Sequence, residues 1–130
     1  MKREMKILLA LHLGGPKDVI AAIQKDCVDC LNLGGNMVGF VKLTTIAEAA
    51  GLPVWHGSGV DLGIMDMSYV HACAAAKGCT MASDIIGNFL REDDLTIEPI
   101  QFEDGYAIVP QSPGLGVQLD EEAVNRYTVE

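Results

Sequence analysis

The sequence predicts an α/β protein built from strand–helix units that repeat along the chain. Three observations carry that prediction. Apolar runs suited to strands begin near residues 6, 27, 53 and 79, so the spacings are 21, 26 and 26, the period of βα units in a parallel sheet. Each of the first three runs leads through a glycine-bearing turn into a stretch patterned as a helix. Beyond residue 95 the pattern changes to a hairpin signal and a short capped helix. Four βα units in a row fit half of an eight-stranded, TIM-type barrel. The expected organisation is therefore a half-barrel over residues 1–95, with residues 96–130 forming a C-terminal β-hairpin and tail that pack on the barrel or on a partner chain.

The elements follow in order. Residues 6–12, KILLALH, form a continuous apolar run, as in a strand covered on both faces. Pro16 stands at a favoured first helical position, and PKDVIAAIQKD puts Val19, Ile20 and Ile23 on one face. Residues 27–33, CVDCLNL, read as the second strand. Asn36 is a good N-cap for MVGFVKLTTIAEAA, and Gly51 suits the end of that helix. One face of it carries Val38, Val41, Thr45 and Glu48, and Met37, Phe40, Val41, Leu43 and Ala47 lie near the other. Residues 53–56, PVWH, make a short third strand before the loop GSGVDLG. Residues 64–77 are an alanine-rich helix stopped by Gly78, and residues 79–82 a short fourth strand. In TIEPIQFEDGYAIVP two strands flank Asp104-Gly105, a strong hairpin signal. Asp120 then caps a last helix, with Glu121 and Glu122 in its first turn.

Charge narrows the classes of partner. The net charge is −9, and all of it falls in residues 83–130, where eleven acids face only Arg91 and Arg126. No basic stripe remains to neutralise phosphates, which argues against nucleic acid and against anionic membrane. Residues 7–13 are apolar but too short for a membrane span and lack a signal-peptide cleavage site, so a cytoplasmic location is expected. Cys27 and Cys30 form a C-x-x-C, which can suggest redox or zinc chemistry. Residues three apart in a strand point to opposite faces, so within a strand the two could not share a metal. His71, inside an apolar helix, reads as a packed histidine, and Met65, Met67 and Met81 as core fillers. The loop GSGVDLG has the glycines of a phosphate loop but neither the lysine nor the frame of one.

Four stretches together resemble a known family: DCLNLGG (29–35), IAEAAGLPVWHGSG (46–59), ASDIIGNFLREDDL (82–95) and EDGYAIVPQSPGLGVQLDEE (103–122). In order and spacing they are similar to the C-terminal part of the enolase superfamily, in its mandelate racemase and muconate lactonizing branch. The resemblance implies that the four units are strands five to eight of a (β/α)7β barrel. It implies chemistry in which Mg²⁺ is held by three carboxylates on strands three to five. Acid and base residues on other strands then remove a proton next to a substrate carboxylate, giving a metal-stabilised enediolate.

The resemblance also assigns candidate residues. Asp29 matches the sixth-strand acid, and Asn32 stands where lactonizing enzymes carry a lysine base. His56 lies one residue from the seventh-strand histidine position, an offset that reverses its face in a strand. Ser58 and Asp61 fit a G-S-x-x-[ED] loop, and Asp84 matches the eighth-strand acid. Asp29, Asp84 and His56 are thus the catalytic candidates, His12 and Asp61 the metal candidates, and Asn32 and Ser58 further polar residues, all expected at the C-terminal ends of strands. Each also fits a solvated or hydrogen-bonded polar residue.

The sequence departs from the family in two ways. Counterparts of strands one to four and of the capping domain are missing, and the fifth-strand ligand should fall at residues 10–12, where only His12 can coordinate. The expected function is therefore a truncated half-barrel without enolase-type turnover alone, associating as a homodimer that covers its open edges, and no cofactor is expected. The alternative is an isomerase or lyase of racemase, cycloisomerase or dehydratase type. Its site, with Mg²⁺ if one is rebuilt, would be completed at a dimer interface or by a complementary N-terminal half.

Overall fold

The structure is a computed structural model that describes residues 4–57 and 60–129. The chain divides into two compact units, Met1–Gly57 with Ala72–Asp84, and Ser58–His71 with Ile85–Glu130.

The first unit is a parallel sheet covered by helices. Its strands are β1 (Ala10–Leu13), β2 (Cys30–Leu33) and β3 (Val54–His56), in that order across the sheet. Between them run α1 (Pro16–Gln24) and α2 (Met37–Ala49). The register places Leu11, Leu31 and Val54 side by side, then His12, Asn32 and Trp55, then Leu13, Leu33 and His56. Because side chains alternate across a strand, the first and third rows share one face. That face meets α1 and α2: Leu31, Leu33 and Val54 pack with Val19, Ala22, Phe40, Leu43 and Ala47, all buried. Burying each of the larger aliphatic or aromatic side chains contributes about 1.5–3 kcal/mol. Of the two faces expected for α2, the one with Phe40, Leu43 and Ala47 is the buried one.

Local signals set the helix starts. Pro16 opens α1, and the Asn36 side chain accepts from the Gly39 N–H at 2.9 Å to cap α2. Strand starts are set by pairing and differ from expectation. β1 begins at Ala10, not residue 6, and Ile7 and Leu8 are 72% and 79% exposed. β2 begins at Cys30, which leaves Cys27 before the strand, where its Sγ donates to the Ala22 carbonyl at 3.5 Å. The expected fourth strand is reduced to a single parallel bridge between Val54 and Cys79. The chain turns away there: Thr80 and Met81 both direct their N–H to the Val54 carbonyl, and the Ser83 hydroxyl takes the His56 N–H at 2.9 Å in place of a strand carbonyl.

Helix α3 (Gly63–Ala75) gives Ala72 to the first core and Met67 and Val70 to the second. In the second unit Met67, Val70 and Ile100 form a buried cluster with Ile85, Val109 and Val117 against it. A 3-10 turn spans Gly87–Phe89. Strands β4 (Phe102–Glu103) and β5 (Tyr106–Ala107) pair antiparallel around Asp104 and Gly105, whose φ angles of 51° and 82° give the left-handed two-residue turn expected of Asp-Gly. Helix α4 (Glu121–Tyr127) is capped by Asp120, whose carboxylate accepts from the N–H of Glu122 and of Ala123.

Candidate functional site

In a parallel sheet the C-terminal strand ends carry chemistry, and the face opposite the helices is the inner one. In the first unit the row on that face is His12, Asn32 and Trp55. His12 is exposed, while Asn32 and Trp55 are half-buried. The Asn32 carboxamide packs against the backbone of Gly57, close enough that no β-carbon fits there, and its Oδ1 is buried with no hydrogen-bond partner among the described residues. The row offers an imidazole, an amide and an indole, with neither a carboxylate nor a lysine.

The other candidates of this unit lie elsewhere. His56 sits on the helix-facing side, fully buried, its ring 4.5 Å from that of Phe40 and its Nε2 3.4 Å from the Gly35 carbonyl oxygen. Its one-residue offset does reverse the face, and it is a packed side chain. Asp29 is at the opposite end of the sheet from the one expected. It precedes the first residue of β2, its N–H donates to the Leu9 carbonyl at 2.8 Å, and its Oδ2 accepts from the Leu9 N–H at 2.8 Å. The carboxylate thus clamps the entry to the β1–β2 ladder. Asp84 does reach a strand end: its N–H donates to the His56 carbonyl at 3.3 Å, and the residue is exposed.

The second unit holds a set of ionisable groups. Asp61 accepts a hydrogen bond from the Tyr69 hydroxyl at 2.8 Å. Burial first, then that bond, pushes the Tyr69 phenol up to about 12. Asp66, fully buried on α3, meets Arg91 Nη2 at 3.3 Å, and the same nitrogen reaches Asp94 at 2.9 Å. Arg91 Nη1 also donates to the Val60 carbonyl at 2.6 Å. Burial raises the Asp66 carboxyl to about 6 although Arg91 opposes it, with Asp61 and Asp94 adding to the rise. Asp61 thus belongs to a network of buried charge. An apolar cavity of about 250 Å³ is lined by Leu62, Ile64, Met65, Leu115 and Leu119, with Asp94 also in its lining. His71 is half-buried with Nε2 3.0 Å from the Leu115 carbonyl oxygen, and of the three methionines only Met67 is core, Met65 and Met81 being 44% and 38% exposed. Ser58 lies outside the described residues.

Trp55, Asp66, Tyr69 and Asp94 are not among the sequence candidates, and Arg91 figures there only as a charge. Strand alternation from His56 would have placed Trp55 on the inner face. An aspartate inside IMDMSYV required a buried cation, and Arg91 is one of only two bases beyond residue 82.

The family model described as "Enolase C-terminal domain-like" matches residues 2–123. The chain belongs to that family. It is 27% identical over 117 residues to muconate cycloisomerase 1 of Rhodococcus opacus, covering 87% of this chain and 31% of that protein. Among solved structures, the N-succinyl Arg/Lys racemase of Bacillus cereus matches with a TM-score of 0.90 at 21% identity, over 99% of this chain and 36% of that one. The muconate lactonizing enzyme of Pseudomonas putida matches with a TM-score of 0.89 at 22% identity, over 97% and 37%. The chain therefore spans about a third of the length of these relatives. The likenesses fix its fold as the α/β architecture of the enolase C-terminal barrel region.

The family implies Mg²⁺. Among the described residues no three His, Cys, Asp or Glu side chains converge to hold an ion, and the end of β1 presents His12 and Leu13 where a carboxylate is required. The donor set of the described residues does not fit the ion. No helix is long and apolar enough to cross a membrane among the described residues.

Proposed function

We propose that this chain has no enolase-type turnover by itself and serves as a half-barrel, strands five to eight, that associates as a homodimer. One observation carries the reading: the inner row His12–Asn32–Trp55 supplies neither a metal-binding carboxylate nor a lysine base. An amide at Asn32 cannot abstract a carbon-bound proton at neutral pH. Association is supported by β1, which pairs only with β2 among the described residues, and by the exposure of Ile7, Leu8 and Val38. The four free cysteines go with a reducing, cytoplasmic location.

The test combines calorimetry with mass. Titration of the purified chain with Mg²⁺ or Mn²⁺ should give no saturable heat, and light scattering at micromolar concentration should give twice the chain mass. Saturable binding of either ion, or exchange of the α-proton of a carboxylic acid substrate with solvent deuterium, would overturn the first half. A monomeric mass would overturn the second.

One observation favours a second reading, an isomerase or lyase completed by another polypeptide or by the sister chain. Asp84 is an exposed carboxylate at the C-terminal end of β3, where an acid/base group acts in a parallel barrel. Co-purification with a chain supplying strands one to four, together with activity that Asp84→Asn abolishes, would establish it.

A further inference from the structure

Two cysteines outside the C-x-x-C come together in the first unit. Cys73 lies in the last turn of α3, and Cys79 carries the bridge to Val54. Their sulfurs sit 3.7 and 3.8 Å from one atom, Ser83 Oγ, which brings the two thiols together around it. Ser83 Oγ accepts the His56 backbone N–H at 2.9 Å, which leaves its own proton to point at a sulfur. The hydroxyl is thus anchored to β3 and organises the pair. Both thiols are only partly buried.

The other two cysteines differ. Cys27 spends its proton on the Ala22 carbonyl, and Cys30 is 5% exposed within β2. Cys73 and Cys79 instead share the Ser83 hydroxyl. The neighbouring Cys73 thiol, helped by Ser83 and the His56 N–H, holds Cys79 down at about 6 despite its burial. Cys73, beside Cys79, is pushed well above the ordinary thiol range. A thiolate beside a protonated thiol, with solvent access, is the arrangement that oxidises by attack and resolution.

We propose that Cys73 and Cys79 form a peroxide-sensitive dithiol, with Cys79 the attacking sulfur and Cys73 the resolving one. The Cys79 thiolate attacks one oxygen of a hydroperoxide. The O–O bond breaks, hydroxide or alkoxide leaves, and Cys79 becomes a sulfenic acid. Cys73 then attacks that sulfur, the S–O bond breaks, and water leaves with the Cys73 proton as the disulfide forms. The two sulfurs lose two electrons and the peroxide gains them. A low-molecular-weight thiol reverses the step by exchange.

The test uses the full chain, fully reduced and then treated with one equivalent of hydrogen peroxide, with peptide mapping by mass spectrometry. The expected product is an intrachain Cys73–Cys79 disulfide, formed equally well in a Cys27→Ser/Cys30→Ser variant. In Cys73→Ser a sulfenic acid at Cys79 should be trapped by dimedone at least tenfold more than in the parent chain. Before oxidation, limiting iodoacetamide at pH 7 should label Cys79 ahead of the other three. A disulfide that involves Cys27 or Cys30, peroxide oxidation without a Cys73–Cys79 bridge, or first labelling at another cysteine would each overturn the proposal. The mapping and labelling need only the unaltered chain, so they decide the matter even if Cys73→Ser does not fold.

Discussion

The Asn32 carboxamide fills the space that a side chain on Gly57 would need. Asn32 lies on β2 and Gly57 just beyond the end of β3, so the close approach fixes how the chain leaves the sheet. Gly57→Ala forces the amide or the strand to move and should destabilise the chain by about 1–3 kcal/mol. Asn32→Ala removes the obstruction. In a double-mutant cycle read by urea denaturation, the pair should therefore lose less stability than the sum of the single changes.

Arg91 is the countercharge of the buried Asp66 and also binds Asp94 and the Val60 carbonyl. Taking away one member of a buried pair leaves the other charge in a medium that solvates it poorly. Arg91→Ala should cost about 3–5 kcal/mol at pH 7, measured by chemical denaturation. The penalty should shrink at pH 5, where the abandoned Asp66 takes up a proton.

Asp66 itself predicts a pH dependence of definite sign. Burial raises its pKa from 3.8 to about 6 in the folded chain, so the fold favours the protonated carboxyl. The stability it contributes is fully present below pH 3.8 and is lost as pH rises through about 6. Relative to Asp66→Asn, which does not titrate, the parent chain should lose on the order of 2–3 kcal/mol between pH 4 and pH 7. A parallel pair of stability curves over that window would refute it.

Asp29 has a mechanical task at the start of the sheet. Asp29→Ala removes the charge-assisted bond to the Leu9 N–H and should cost about 1.5–3 kcal/mol. Hydrogen exchange should show faster amides at residues 9–11, with protection in α2 unchanged.

What the amino-acid order revealed depended on the range of the forces involved. Pro16, Asn36, Asp104-Gly105 and Asp120 act within three or four residues, and each sets the turn or helix start expected of it. Strand limits depend on partners far along the chain. Nothing in KILLALH shows that pairing waits until Ala10, because Asp29, 20 residues away, holds Leu9. The fourth strand dwindles to a bridge for a like reason: Ser83 meets the His56 N–H with a side chain. Among candidate residues, the face of His56 was legible from strand alternation. The position of Asp29 was not, since a resemblance carries residue identity but not which end of a strand a side chain occupies. The Asp66–Arg91 pair spans 25 positions and leaves no local trace beyond a charge in an apolar helix.

The middle row of the sheet has an optical consequence. Trp55 is the only tryptophan in the chain, and it stands beside Asn32 on the side turned away from the helices. The intrinsic fluorescence of this molecule is therefore the emission of one face. Another chain or a small ligand arriving there would change the colour and quenching of that indole. Events confined to the helix side would leave that emission largely unchanged, so an unlabelled sample already carries its own reporter.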